Sequence, residues 1–97
     1  MKVVYTDEAR DNLDGILANI ARDYPTISAA FEKRLRTVVV RIGAWPESAE
    51  EVAERPGVRV VPLIRYPYKI FYRITNEAVE ILYIHHVARR APWEGER

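Results

Sequence analysis

The second half of this 97-residue sequence carries its chemistry-bearing side chains at short intervals: Arg59, Arg65, Lys69 and Arg73, then His85, His86, Arg89 and Arg90. Cations gathered in this way can hold an anion or stabilise charge that develops during a reaction. A histidine, with an ordinary pKa near neutrality, can take up or release a proton at physiological pH. His85 and His86 are neighbours in a strand-like run, so their rings point to opposite faces and cannot chelate one ion. The chain has no cysteine and no third histidine, so neither a metal site nor a cofactor is expected. Nucleophile elbow, phosphate-binding glycine loop and paired-carboxylate site are all missing from the sequence. Trp45 and Trp93, each beside a proline, read as packing lids over sheet or helix ends.

The elements that must position these groups follow from hydrophobic periodicity. Residues 2–5 read as a short strand. Thr6 or Asp7 then caps a helix, because either side-chain oxygen can accept from a free N–H of the first turn. Ala9, Leu13, Ile16, Leu17 and Ile20 form its apolar stripe. Gly15 lies inside that helix at a cost of about 1 kcal/mol against alanine, which a close helix–helix approach would explain. A second helix runs from about Thr26 to Ile42 on the stripe Ile27, Phe31, Leu35, Val38 and Ile42, with Val39 and Val40 widening the apolar face. Gly43 sits as its C-terminal glycine, and Pro46 blocks continuation. The short link predicts an antiparallel helical hairpin.

Residues 44–57 form an acidic connection with room for one helical turn, closed by Pro56-Gly57. Three strands follow, Val58–Leu63, Tyr68–Ile74 and Val79–Val87, joined by short turns into a meander. Ala88–Arg97 is a basic tail. The fold class is α+β: an N-terminal strand, an antiparallel helical hairpin and a three-stranded antiparallel meander, forming one sheet with the helices on one face. Residues 1–97 make a single domain.

Alternation assigns Tyr68, Ile70, Tyr72 and Ile74 to the helix-covered face, and Lys69, Phe71 and Arg73 to the other. On the last strand Val79, Ile81, Tyr83 and His85 alternate with Glu80, Leu82, Ile84 and His86. Both sets are largely apolar, which predicts a central strand covered on both faces, one of them by a partner. Topology gathers Arg59, Arg65, Lys69, Arg73, His85, His86, Arg89 and Arg90 into a locally positive sheet surface, while acidic residues concentrate in the first helix and in residues 47–54.

Composition bounds the function. With 15 Lys+Arg against 14 Asp+Glu, the formal charge is +1, too balanced to coat nucleic acid through bulk charge. Apolar residues make up 48% and charged residues 30%, a globular composition. No apolar run approaches the roughly 18 residues of a membrane span, and the N-terminus turns acidic too early for a signal peptide. A cytoplasmic protein is expected.

Three stretches together resemble the ParE/RelE toxin superfamily of type II toxin–antitoxin systems, the plasmid stabilisation proteins. They are Thr6–Leu13 with Pro25–Leu35; Gly57–Leu63 running into Arg65-Tyr66-Pro67-Tyr68-Lys69-Ile70-Phe71-Tyr72-Arg73; and Ile81–Arg90. The middle stretch is the most specific. The resemblance implies a growth-inhibiting toxin neutralised by a ParD/RelB-like cognate antitoxin in a hetero-oligomeric complex, the antitoxin lying along the helical hairpin and the sheet. ParE-like members poison DNA gyrase without catalytic residues, and that branch is the expected one. RelE-like members instead cut messenger RNA on the ribosome, and a third reading is a non-toxic antitoxin-binding partner. For the nuclease reading the site would be Arg65, Lys69, His86 and Arg89. Of that family's residues, the sheet-face cations match Lys69 and Arg59 and the arginine after the last strand matches Arg89; a C-terminal tyrosine and a second-strand lysine pair have no match, and His85 or His86 would substitute as the acid or base. For the binding reading, Arg59, Arg73, His85, Arg90 and Trp93 are the partner- or target-facing residues.

Overall fold

The computed structural model describes residues 1–94. The chain begins with β1 (Val3–Tyr5) and enters α1 (Asp7–Asp23) at Thr6, whose hydroxyl accepts from the Ala9 N–H at 3.1 Å. This satisfies one of the free donors of the first turn. A 3₁₀ turn at Pro25–Ile27 leads into α2 (Ser28–Ala44), so the second helix starts two residues later than periodicity predicts. The acidic connection holds a second 3₁₀ turn, Pro46–Ser48, and a two-residue strand, β2 (Glu50–Glu51). The meander follows as β3 (Val58–Pro62), β4 (Tyr68–Ile74) and β5 (Val79–His86).

The five strands form one sheet in the order β1-β5-β4-β3-β2. β1 runs parallel to β5, with Val3 opposite Val79 and Tyr5 opposite Ile81; the other pairings are antiparallel. The helices cover one face. Phe31, Leu35, Val38 and Ile42 from α2 and Ala9 and Ile20 from α1 meet Leu63, Ile70, Tyr72, Val79, Ile81 and Ile84 in one core. Each large side chain fully buried there contributes on the order of 1.5–3 kcal/mol. Tyr72 carries a polar group into this core, and its hydroxyl donates to the Pro46 carbonyl at 2.5 Å, so the buried group is satisfied. Burial pushes its pKa up, against the opposing pull of the Arg59 charge.

Four expectations are corrected. A Cβ on Gly15 would meet nothing within 4 Å, so no close helix approach accounts for that glycine. Gly43 lies inside α2, which continues to Ala44. Its hydrogen faces β1: a Cβ there would stand 2.9 Å from the Met1 carbonyl oxygen and 3.1 Å from a Val3 methyl. Val39 packs against the core, but Val40 is 70% exposed and Trp45 65% exposed, so the apolar face widens through Val39 alone and the first tryptophan lid does not form; Trp45 caps α2 through its backbone, its N–H donating to the Arg41 carbonyl at 2.9 Å.

The fourth correction concerns β5. Phe71 pairs with Tyr83 but Tyr72 with Ile81, leaving Leu82 as an extra residue. This bulge reverses the alternation after it. Ile84 and His86 join Val79 and Ile81 on the helix face, opposite Ile70 and Tyr68, while Tyr83 and His85 turn outward opposite Phe71 and Lys69. The apolar residues at both parities of β5 thus serve one core in succession. The bulge is fixed by α1. The Thr6 hydroxyl donates to the Leu82 carbonyl at 3.1 Å, and Asn12 Oδ1 accepts from the Ile84 N–H at 3.1 Å.

Candidate functional site

The register splits the cationic residues between the two faces of the sheet. On the helix side, two abutting clefts of about 500 and 510 Å³ run between α1, the β3–β4 turn and the end of β5, sharing Asn19, Tyr68 and His86. Arg89 lines the first with Asp11, Asn12, Gly15 and Arg22; Arg65 lines the second with Tyr24, Ile27 and Tyr66. The His86 ring meets Tyr68 edge-on at 5.6 Å. Its Nδ1 accepts from the Ala88 N–H at 3.0 Å, which leaves Nε2 as the nitrogen available to a ligand.

Arg65 stands on a strained turn. Ile64 has φ +42° and Arg65 φ +81°, two consecutive left-handed residues with side chains, the first of them β-branched. The turn is held from below: Arg34 Nε donates to the Leu63 carbonyl at 2.8 Å, and the Leu63 N–H to the Tyr68 carbonyl at 2.9 Å. Ile64 is 62% exposed despite its apolar side chain.

The outer face carries Lys69, Phe71, Arg73, Tyr83 and His85. Residues 88–94 fold back over it and set Trp93 edge-on against Phe71 at 5.3 Å, with the Arg55 guanidinium 5.5 Å from the indole. Phe71 is thereby only 3% exposed. Lys69 lies across from His85, its Nζ 5.4 Å from the Phe71 ring. His85 is 4% exposed, and its Nδ1 has no hydrogen-bond partner among the described residues. Burial holds its pKa below the ordinary histidine value, helped by Arg89 and Lys69 and opposed by a hydrogen bond that the ring donates to the Arg90 backbone and by Glu8.

The structure therefore brings Arg65, His86 and Arg89 to one surface and places Lys69 on the other. Arg59 does not join Lys69 either. It pairs with Tyr72 on the helix face, and its Nη1 donates to the Ala49 and Glu47 carbonyls at 2.7 and 3.1 Å, a tie that anchors the acidic connection. Arg73 is on the outer face in an ion pair with Glu80 at 2.7 Å. Arg90 is exposed at the start of the tail. Sequence reasoning missed Asn12, Asn19 and Tyr24, which border the clefts; on a helical wheel the two asparagines are ordinary polar positions beside the stripe, Tyr24 follows the last residue of α1, and only the bulge gives Asn12 its role.

The sequence model described as the ParE toxin of the type II toxin–antitoxin system parDE matches residues 3–91. The chain belongs to the ParE toxin family. A solved structure titled as the chromosomal ParDE toxin–antitoxin system from P. aeruginosa shares the fold, with a TM-score of 0.66 at 23% identity over 89% of this chain and 95% of the other. No curated protein sequence matches. The ParE chain described here is thus the toxin of a type II toxin–antitoxin system, and an antitoxin is its partner. Among its described residues no helix is long and apolar enough to cross a membrane.

Proposed function

We propose that this toxin arrests growth in the cytoplasm by binding and poisoning DNA gyrase, and that a ParD-like antitoxin holds it inactive in a hetero-oligomeric complex. The observation that carries the choice of target is the register of β4 and β5, which puts Lys69 and His86 on opposite faces of the sheet. Cleaving RNA requires a base for the 2′-hydroxyl, an acid for the leaving oxygen and a cation for the phosphorane, all around one phosphate. Lys69 and His86 belong to opposite faces, so the four residues Arg65, Lys69, His86 and Arg89 do not enclose a common phosphate. The ring that does face Lys69's side is His85, which is buried between Phe71 and Tyr83. A protein-binding inhibitor needs no such convergence.

The test is expression of the toxin without antitoxin in cells carrying a DNA-damage reporter, together with a supercoiling assay on purified gyrase. Growth arrest with strong reporter induction and loss of supercoiling is expected. Arrest with a silent reporter and cleaved transcripts moves the target to the ribosome and messenger RNA, and absence of arrest leaves a non-toxic antitoxin-binding partner.

A further inference from the structure

The Nδ1 of His85 is the one buried side-chain nitrogen or oxygen among the described residues without a hydrogen-bond partner. Folded proteins pair nearly all such groups, so an orphan calls for a reason. The ring itself is not idle: it donates to the Arg90 backbone and so ties the start of residues 88–94 to the sheet. The next ring makes a second tie, His86 Nδ1 accepting from the Ala88 N–H at 3.0 Å. Further out, the segment rests on Trp93 against Phe71 and on the Arg55 guanidinium against the indole. Its remaining hydrogen bonds are local turns, from the Arg89 N–H to the His86 carbonyl and from the Glu94 N–H to the Ala91 carbonyl. Both histidine ties belong to neutral rings. A protonated imidazole has two donors and no acceptor, so protonated His86 cannot hold Ala88. A proton on His85 Nδ1 would be a buried donor without an acceptor, and its charge would face Lys69 across the β4–β5 ladder and Arg89 in the segment above. Glu8 on α1 and the bond to Arg90 favour the charged ring, but burial and the two cations outweigh them. Around His86 the charged residues of the two clefts are Arg65, Arg89 and Arg22 against one carboxylate, Asp11.

We propose that His85 and His86 form a proton-operated latch: with both rings neutral they hold residues 88–94 against the outer face of the sheet, and their protonation releases the segment and uncovers Phe71 and Tyr83. The strand cannot be the part that yields, because His85 is held in the ladder opposite Lys69. The segment can, since it has no strand of its own and little besides one ring pair beyond its two histidine ties. The Val87 N–H stays bonded to the Pro67 carbonyl at 2.8 Å, which sets the hinge after Val87. Once the segment lifts, His85 Nδ1–H and the Ala88 N–H both reach water, and Arg89 moves away from the charged ring. The orphaned nitrogen then has a purpose: left unpaired when neutral, it makes the closed form alone reject the proton. Each proton taken up only by the released form multiplies the released population by up to about tenfold per pH unit below the ordinary histidine pKa of about 6.5. Two rings acting in one direction steepen the response. The latch does not depend on which target the toxin poisons.

The experiment uses the full chain carrying Trp45→Phe, so that Trp93 is the one remaining indole; Trp45 is exposed and caps α2 through its backbone. Acrylamide quenching of Trp93 and far-ultraviolet circular dichroism are followed together as the pH is lowered from about 7.5 to about 5, a range that spans histidine titration. Quenching is expected to rise severalfold while the ellipticity holds, the mark of a local release. His85→Gln keeps a donor near the position of Nε2, His86→Asn keeps an acceptor near that of Nδ1, and neither side chain titrates. The double variant should keep Trp93 protected throughout, and each single variant should show a shallower transition than the parent. His86→Asn, at an exposed position, keeps the test decisive if His85→Gln does not fold. Trp93 quenching that is independent of pH in the parent overturns the proposal. So does a rise that the double variant shares, a rise that coincides with loss of ellipticity, or a transition that either folded single variant leaves at full steepness.

Discussion

Single side chains decide how the core meets its polar obligations. Tyr72 reaches through the core to the Pro46 carbonyl, so Tyr72→Phe should cost about 1 kcal/mol, read as a lower urea midpoint at unchanged slope. Asn12 gives β5 an acceptor at the bulge. Asn12→Ala leaves the Ile84 N–H without it and should cost about 1–3 kcal/mol in the same assay. His85 has a different signature. Its folded-state pKa is depressed by burial first and by Arg89 next, so the unfolded chain binds the proton more readily. Stability attributable to His85 is therefore full above its unfolded pKa and falls as pH drops through about 6.5 toward the lower folded value. Melting temperatures measured from pH 7.5 downward should decline, and His85→Phe should flatten the part of that decline that sets in below about 6.5.

Helices and strands show where local sequence reasoning holds and where it stops. Gly15 and Gly43 both lie inside helices, but their environments differ. Gly15→Ala should stabilise by about 0.5–1 kcal/mol because the added methyl meets nothing, whereas Gly43→Ala forces the methyl onto the Met1 carbonyl and should destabilise; urea titration of the pair reads both signs. The helical hairpin, the meander, the Thr6 cap and the inward set Ile70 and Tyr72 were legible because each follows from period and capping over a few residues. The phase of β5 was not. Period-two counting puts Ile84 and His86 opposite Val79 and Ile81, and the bulge at Leu82 is set by Thr6 and Asn12, more than seventy residues away. The same distance hid the site. The cations were visible as residue types, but their division between faces depends on register. Arg59, one strand position from the expected surface, turned out to fasten the acidic connection. β2 was invisible because two residues carry no period.

At the scale of the whole molecule, the sheet has helices on one face and, among the described residues, the short segment 88–94 on the other. Trp93 of that segment stands edge-on against Phe71. Trp93→Ala should cost about 0.5–1.5 kcal/mol for the ring pair beyond the area it uncovers, seen as a lower melting temperature and faster amide exchange in β4. The order β1-β5-β4-β3-β2 has another consequence. The first strand is an edge whose sole neighbour is the last one to be made. While the chain is being synthesised, α1 and α2 emerge with their apolar stripes uncovered and wait for Val79–His86. At roughly 5–20 residues per second, the stretch from Ala44 to Val79 takes roughly 2–7 s to appear. Nascent chains halted before Val79 should remain protease-sensitive, and those extended well past His86 should not. A toxin built in this order has no complete sheet until Val79–His86 is out, and an antitoxin already present meets it at the moment that sheet closes.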